Sequence, residues 1–336
     1  MRMNVMYLSD NNYAIYMGVS ICSLFENNKM LDEINVYIID DNISSDNKKR
    51  LEELAERYGR NIYFMDCKVG IDKLQKLGAP KYRGSYTTYL KIFAFNQLPD
   101  TVHKILFIDS DSVVVNSIEE VDKIDMGGNP IAAVKDNLCY YDFTYLGYEA
   151  DSDWFNMGVM LVDVDMWKKQ NCEKVVIEKM KQRVAYVAVD QNLLNISFYK
   201  HISTLPIEYN MTQHPMVYSY EAYLKYFPMK NYYTKTQIQY GKQHAIIHHF
   251  ERFIGESPWH LNNVSIYNSE FDYYLEKTSW NNYKKQKSGS SMVNKIEKIL
   301  YRILPHDIFL KIFCIGYKRY ILNLNRKLEK GVSNFH

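Results

Sequence analysis

The chain has 336 residues, 47% of them hydrophobic and 24% charged, with a formal net charge of +2. That length supports an ample core in one large or two small domains, and the composition excludes disordered and collagen-like chains. Five scattered cysteines (Cys22, Cys67, Cys139, Cys172, Cys314), with no CxxC pair or Cys/His cluster, argue against zinc and disulfide frameworks.

The N-terminus lacks the apolar stretch of a secretory signal, and no run of about 18 apolar residues occurs, so a reducing cytosol is the expected compartment. The small net charge hides an asymmetry. Residues 281–336 carry 12 Lys/Arg against 3 Asp/Glu, and the rest 29 against 36. A mildly acidic body with a basic tail suggests two tasks on one chain.

In chain order, residues 4–8 read as a strand and 13–25 as a helix. Residues 34–39, β-branched and apolar, form a buried strand. Ser44 or Ser45 caps a helix through LEELAERY that Gly59 ends, and 61–65 make a third strand. Residues 87–98 are expected as one helix closed by Pro99, and 104–108 as a strand. Strands follow at 130–134 and 157–162, then a short helix at 190–199 and an apolar strand at 245–249.

This alternation predicts an α/β fold with a mostly parallel sheet flanked by helices. The polar stretch NNYKKQKSGSSMVN reads as a linker, which divides the chain into a catalytic domain at 1–280, a linker at 281–294 and a basic helical tail at 295–336. In the tail, Ile296, Ile299, Leu300, Ile303 and Leu304 fall on one helical face, with Lys295, Lys298 and Arg302 outside it. Pro305 breaks the run, and Ile308, Phe309, Ile312 and Phe313 follow, trailed by Lys318, Arg319, Arg326 and Lys327. Such a segment suits an anionic membrane surface; the alternatives are docking on the catalytic domain or contact with nucleic acid, and nucleic acid is not expected as a partner.

KILFIDSDSVVV carries the chemistry. A buried strand delivers Asp109, Ser110 and Asp111 to its carboxyl end, where open α/β sheets bind ligands. Two carboxylates separated by one small residue can address one hard cation, Mn²⁺ or Mg²⁺, which would neutralise a diphosphate. A bare D-x-D is by itself only a turn signal, so other segments decide.

Those segments, in order, are MYLSDNNYA, RGSYTTYLKIF, FIDSDSVVV, WFNMGVMLVDVDMW, VDQNLLN, LPIEYN and IIHHFERFIGESPW. Together they resemble the family 8 glycosyltransferases, retaining enzymes of GT-A fold that include bacterial lipooligosaccharide galactosyltransferases and glycogenin. The resemblance implies a metal-dependent transfer of a hexose from a UDP-sugar to a glycan or lipid-linked glycan acceptor, as in bacterial surface polysaccharide synthesis, at the inner face of the cell membrane.

It implies that Ser9, Asp10, Asn12 and Tyr13 hold the nucleotide. Lys91, Ser110, Asn156 and Gly255 meet the donor phosphates and sugar. Asp190 and Gln191 lie under the sugar at the anomeric carbon, and Asp109, Asp111 and His249 bind the metal. His248, next to His249, remains the alternative ligand; one should face the cleft and the other the core. Gln191 is an amide and a poor nucleophile, so same-face attack with Gln191 steering charge is expected.

The chain departs from the family at Lys91, where many members have an arginine, and at Ser257, where a lysine usually precedes Pro-Trp. Lys91 keeps the charge and loses the bidentate fork; Arg252 or a tail lysine would then take over the phosphate contact. Absence of a glycine-rich loop after the first strand speaks against a sugar nucleotidyltransferase. The intact Asp109/Asp111 pair speaks against a degenerate nucleotide-sugar binder.

Overall fold

The structure, a computed structural model, describes residues 2–183 and 185–330. Its strands are β1 (Arg2–Asp10), β2 (Glu33–Asp41), β3 (Asn61–Asp66), β4 (Lys104–Ile108), β5 (Ser112–Val114), β6 (Ile131–Lys135), β7 (Phe155–Asp163), β8 (Ile202–Thr204) and β9 (Ile247–His249). Seven form one sheet in the order β3-β2-β1-β4-β7-β6-β8, while β5 and β9 make a separate pair. β3, β2, β1 and β4 run parallel; β7 is antiparallel to both β4 and β6.

Strands covered on both faces read as unbroken apolar runs, and successive side chains go to opposite layers. Val5, Tyr7, Val36 and Leu106 pack with Met17, Ile21 and Leu24 of the first helix, Ala14–Asn27. Met6, Leu8, Ile105 and Phe107 face the other layer, with Phe95, Trp167 and Leu193. Because β7 is reversed, its first residues arrive at the same edge as the carboxyl ends of the parallel strands. The register between β6 and β7 jumps from Ala133↔Met160 to Val134↔Asn156, a bulge that takes residues 157–159 out of regular pairing with β6, while Val159 still pairs with Ile108 of β4.

The helix expected over 87–98 is broken into Thr87–Tyr89, Lys91–Ala94 and Phe95–Gln97, the outer two being 3₁₀ turns. The cause lies at both ends of the first turn. Ser85 and Thr87 hydroxyls are tied to Asp41 on β2, and the Lys91 ammonium is drawn inward to carboxylates.

Residues 281–294 run along the domain, with Leu261 N–H donating to the Gln286 carbonyl (2.8 Å) and Lys285 paired with Asp272 (2.7 Å). The tail helices Met292–Ile303 and His306–Glu329 then dock on it. Tyr301, Phe309, Leu310 and Cys314 join Tyr218, Tyr223, Phe227 and Phe253 in a third core. In the first tail helix Tyr301 turns inward with Leu300 and Leu304 packed beside it, while Ile296, Ile299 and Ile303 face solvent, so only one edge of the apolar stripe read from the sequence is docked. No helix among the described residues is long and apolar enough to cross a membrane.

Candidate active site

The Asp-Ser-Asp triplet occupies the turn between β4 and β5, and β9 pairs with β5 through Ser112↔His249 and Val113↔His248. That ladder carries a residue from 137 positions later onto the triplet. One ligand atom from each of Asp109, Asp111 and His249 lies within 4.8 Å of the others, and His249 Nε2 stands 3.3 Å from Asp111 Oδ1. His248 points away: its ring stacks on Tyr267 at 4.5 Å and its Nδ1 lies 3.5 Å from Glu270.

Two carboxylates and an imidazole are a donor set suited to a divalent cation with oxygen-rich ligation. Their surroundings are shaped for it. A Cβ on Gly158 would come within 2.3 Å of His249 Cε1 and 2.9 Å of Asp109 Oδ2, so the bulge in β7 places a glycine where His249 and Asp109 need space. The Asp109 N–H also donates to the Gly158 carbonyl (2.7 Å).

Burial pushes the Asp109 carboxyl up to about 6, against the pull of Lys91 and with the help of Asp111. Burial acts against charge on His249, but the hydrogen bond and charge of Asp111 outweigh it and lift the imidazole to about 9. The same hydrogen bond holds Asp111 below the usual carboxylate range in spite of its own burial. Two acids and one base so close together, with mutually shifted protonation, mark a candidate functional site.

Behind the ligands lies a row of amides. Asn210 Oδ1 meets His249 Nδ1 at 3.0 Å, and the Asn210 amide donates to Asn156 Oδ1 at 2.9 Å. Asn210 thereby holds the proton on Nδ1 and turns Nε2 toward the carboxylates. The Asn156 amide donates to Glu251 at 2.7 Å, and Asn156 Oδ1 also accepts from the Gly158 N–H. The Gln191 amide donates to Asp136 at 3.1 Å and reaches Cys139 Sγ at 2.9 Å, while its oxygen accepts from the Met157 N–H at 3.3 Å.

Lys91 is only 2% exposed. Its ammonium lies 2.9 Å from Asp190, 3.5 Å from Asp109 and 3.0 Å from the Met157 carbonyl. It therefore reaches the site from beneath, as the countercharge that joins Asp109 to Asp190. Ser110 is also turned into the fold, its hydroxyl donating to the Leu8 carbonyl at 2.6 Å.

Around the opposite rim, Asp10 accepts from the Tyr13 N–H (2.9 Å) at the start of the first helix, and Ser9 is buried with its hydroxyl on the Asp10 carbonyl. Asn12 is exposed, and the Tyr13 ring stands edge-on to Tyr16 and Trp259 with its hydroxyl near the Arg252 charge. Gly255 has a φ of +74°, and the Asn294 side chain lies 2.8 Å from where its Cβ would be. Beside it Lys298 is locked on the buried Glu256 at 2.9 Å.

Asp136, Glu251 and Asn210 were not among the expected site residues. Asp136 directly follows β6, and Glu251 lies two residues past His249; position after a strand was the available signal. Burial and the neighbouring Asp136 raise Glu251 to about 7.

The model of glycosyl transferase family 8 matches residues 4–263. The chain belongs to that family. It is 28% identical to general stress protein A of Bacillus subtilis over 83% of this chain and 95% of that one. It is also 28% identical to a lipopolysaccharide 1,2-glucosyltransferase of Escherichia coli, over 83% of this chain and 79% of the relative. The solved galactosyltransferase LgtC, in complex with donor and acceptor sugar analogues, superposes with a TM-score of 0.67 at 22% identity, covering 82% of this chain and 96% of LgtC. The α/β fold predicted from strand order is thus the GT-A type of this family, with a central sheet flanked by helices.

Proposed function

We propose that this family 8 enzyme transfers a hexose, glucose or galactose, from a UDP-sugar to a glycan acceptor with retention of configuration, in the synthesis of a bacterial surface glycan. The observation that carries the reading is the convergence of Asp109, Asp111 and His249 beside Asp190 and Gln191 on one sheet edge. The sugars named for the glucosyltransferase and galactosyltransferase relatives support the hexose. Mn²⁺ or Mg²⁺ held by the three ligands would supply charge stabilisation to the departing diphosphate.

The protein groups divide the remaining work. Asn210 orients His249, and Lys91 fixes Asp109 and Asp190 relative to each other. Asp10, Asn12 and Tyr13 receive the nucleotide at the far rim. Arg252, exposed and close to the Tyr13 hydroxyl, takes the phosphate contact that Ser257 cannot make, since Lys298 is committed to Glu256. Both ends of the Gln191 amide are held by hydrogen bonds, which favours an electrostatic role at the anomeric carbon over nucleophilic attack.

The acceptor is read as lipid-linked, with the tail lying on the anionic inner face of the cell membrane. What supports this is the outward stripe of Met292, Val293, Ile296, Ile299 and Ile303, continued by Ile308, Ile312 and Ile315. Exposed Lys295, Arg302 and Lys311 flank it. An exposed apolar band with cations beside it fits the headgroup boundary.

The test is UDP release from UDP-glucose, UDP-galactose and their N-acetyl forms in the presence of Mn²⁺. Turnover is expected with a UDP-hexose, and Asp111→Asn should lower it by at least about 10²-fold. Full activity in EDTA, or in Asp111→Asn, would sink the metal reading; binding of a UDP-sugar without turnover would mark a non-catalytic binder.

A further inference from the structure

The last helix, His306–Glu329, ends far from the sequence motifs, yet it reaches the helix that presents Asp190 and Gln191. Asn325 is fully buried and its amide donates to Asp142 Oδ1 at 2.8 Å. The other oxygen of that carboxylate accepts from the Asn192 amide at 2.5 Å. The backbone N–H of Ala188, the residue that opens the helix Val189–Ser197, also favours the charged Asp142 carboxylate. Asn192 in turn accepts from the Trp154 indole (3.3 Å), and Arg183 reaches Asn325 Oδ1 at 3.4 Å.

One buried carboxylate therefore joins three partners: a helix start, the side chain adjacent to Gln191, and the tail. A buried carboxylate keeps its charge only while its donors stay in place. An acid at a helix N-terminus also fixes that turn against the macrodipole. Neither need explains why one donor should come from the tail helix, which otherwise docks through apolar packing and exposed polar contacts such as Tyr145 to Glu329 (2.8 Å) and Lys318 over Tyr141.

We propose that Asn325 is a positioning residue of the active site, acting through Asp142 and Asn192 to set the helix turn that carries Asp190 and Gln191. The tail is then a working part of the transferase and not only an appendage. This rests on the reading above in which Asp190 and Gln191 lie at the donor sugar. Displacement of that turn by a fraction of a helical step misplaces an amide that must act at one atom, whereas Asp109, Asp111 and His249 are positioned by β4, β5 and β9 and linked to the turn only through the Lys91 bridge from Asp109 to Asp190.

The test is an exchange of partners. Asn325→Asp sets carboxylate against carboxylate; Asp142→Asn added to it restores a donor facing an acceptor, with the remaining amide oxygen free for Asn192. For wild type, Asn325→Asp and the double variant, kcat and KM for a UDP-hexose, Mn²⁺ affinity and the folded fraction by circular dichroism are measured. Asn325→Asp should lose about 10- to 100-fold in kcat per folded molecule with Mn²⁺ affinity unchanged, and the exchange should recover most of it. Wild-type kcat in Asn325→Asp, or an equal loss in the double variant, overturns the proposal. Should Asn325→Asp not fold, Asn325→Ala is read in the same way, and wild-type kcat there overturns it too. Failure of the wild type to turn over any UDP-hexose instead refutes the transferase reading, and this inference falls with it.

Discussion

At Gly158 the requirement is for no side chain at all. A methyl group there would stand 2.3 Å from the His249 ring and 2.9 Å from the Asp109 carboxylate, and both are tethered: His249 is hydrogen-bonded to Asn210, and the Asp109 carboxylate is drawn to Lys91. Gly158→Ala should leave the fold intact and weaken Mn²⁺ binding by about 10-fold or more, measured by calorimetry. Undiminished affinity would mean that the three ligands do not act as one site. Gln191 gives a second prediction at this scale. With its amide held at both ends, Gln191→Ala should cost roughly 10- to 100-fold in turnover, and mass spectrometry should find no sugar attached to Gln191. A trapped adduct would make it the nucleophile. The delivery of Asp109 and Asp111 to one strand end was legible because an apolar strand precedes them; which of His248 and His249 meets them was not, because adjacent strand residues differ only in which way the strand faces.

Among the elements, the short helix Gln213–Val217 carries a buried titratable group that the site does not use. His214 packs among Tyr223, Phe253 and Phe313, the last from the tail, and burial lowers its imidazole to about 4. Its Nδ1 finds no partner among the described residues. The folded state holds this group neutral, while the unfolded chain protonates it near 6.5. Stability contributed by the neutral form is complete above about 6.5 and declines as pH falls toward 4, by up to about 3 kcal/mol. His214→Phe should remove that part of the slope: chemical denaturation at pH 7 and 4.5 should give a smaller difference in the variant than in wild type. Equal differences would place the titration elsewhere. Most strands, and the helices Ala14–Asn27, Ser45–Arg57 and Val189–Ser197, were visible in the periodicity of the chain. The break of the expected helix 87–98 was not, since it follows from the pull of Asp41 on Ser85 and Thr87 and of Asp109 and Asp190 on Lys91.

At the scale of the whole molecule, the tail has a docked face and an open one. Ile299 and Ile303, 58% and 67% exposed, touch nothing that the third core needs. Ile299→Glu with Ile303→Glu should therefore leave UDP release unchanged and abolish sedimentation with anionic vesicles, where each buried isoleucine contributes roughly 1.5–3 kcal/mol and each nearby cation about 1 kcal/mol. Vesicle binding equal to wild type would show that the stripe does not meet lipid. Because Asn325 and Tyr301 bind the catalytic domain, these surface substitutions separate membrane contact from active-site support, which removal of the tail would confound.

The amino-acid sequence by itself determined the alternation of strands and helices, the delivery of Asp109 and Asp111 to a strand end, and the family. These are written in local periodicity and in short motifs whose chemistry depends on neighbouring residues. Only the tertiary structure decided that His249 and not His248 meets the carboxylates, that Lys91 lies under the site, that Asn210 backs the histidine, and that Asn325 reaches Asp142. Each of those depends on which distant segment arrives opposite: β9 against β5, the bulged β7 against β4, the tail against the helix that starts at Tyr140. Helical spacing likewise assigns an apolar face but not its direction, because burial of one face is decided by the surface that meets it.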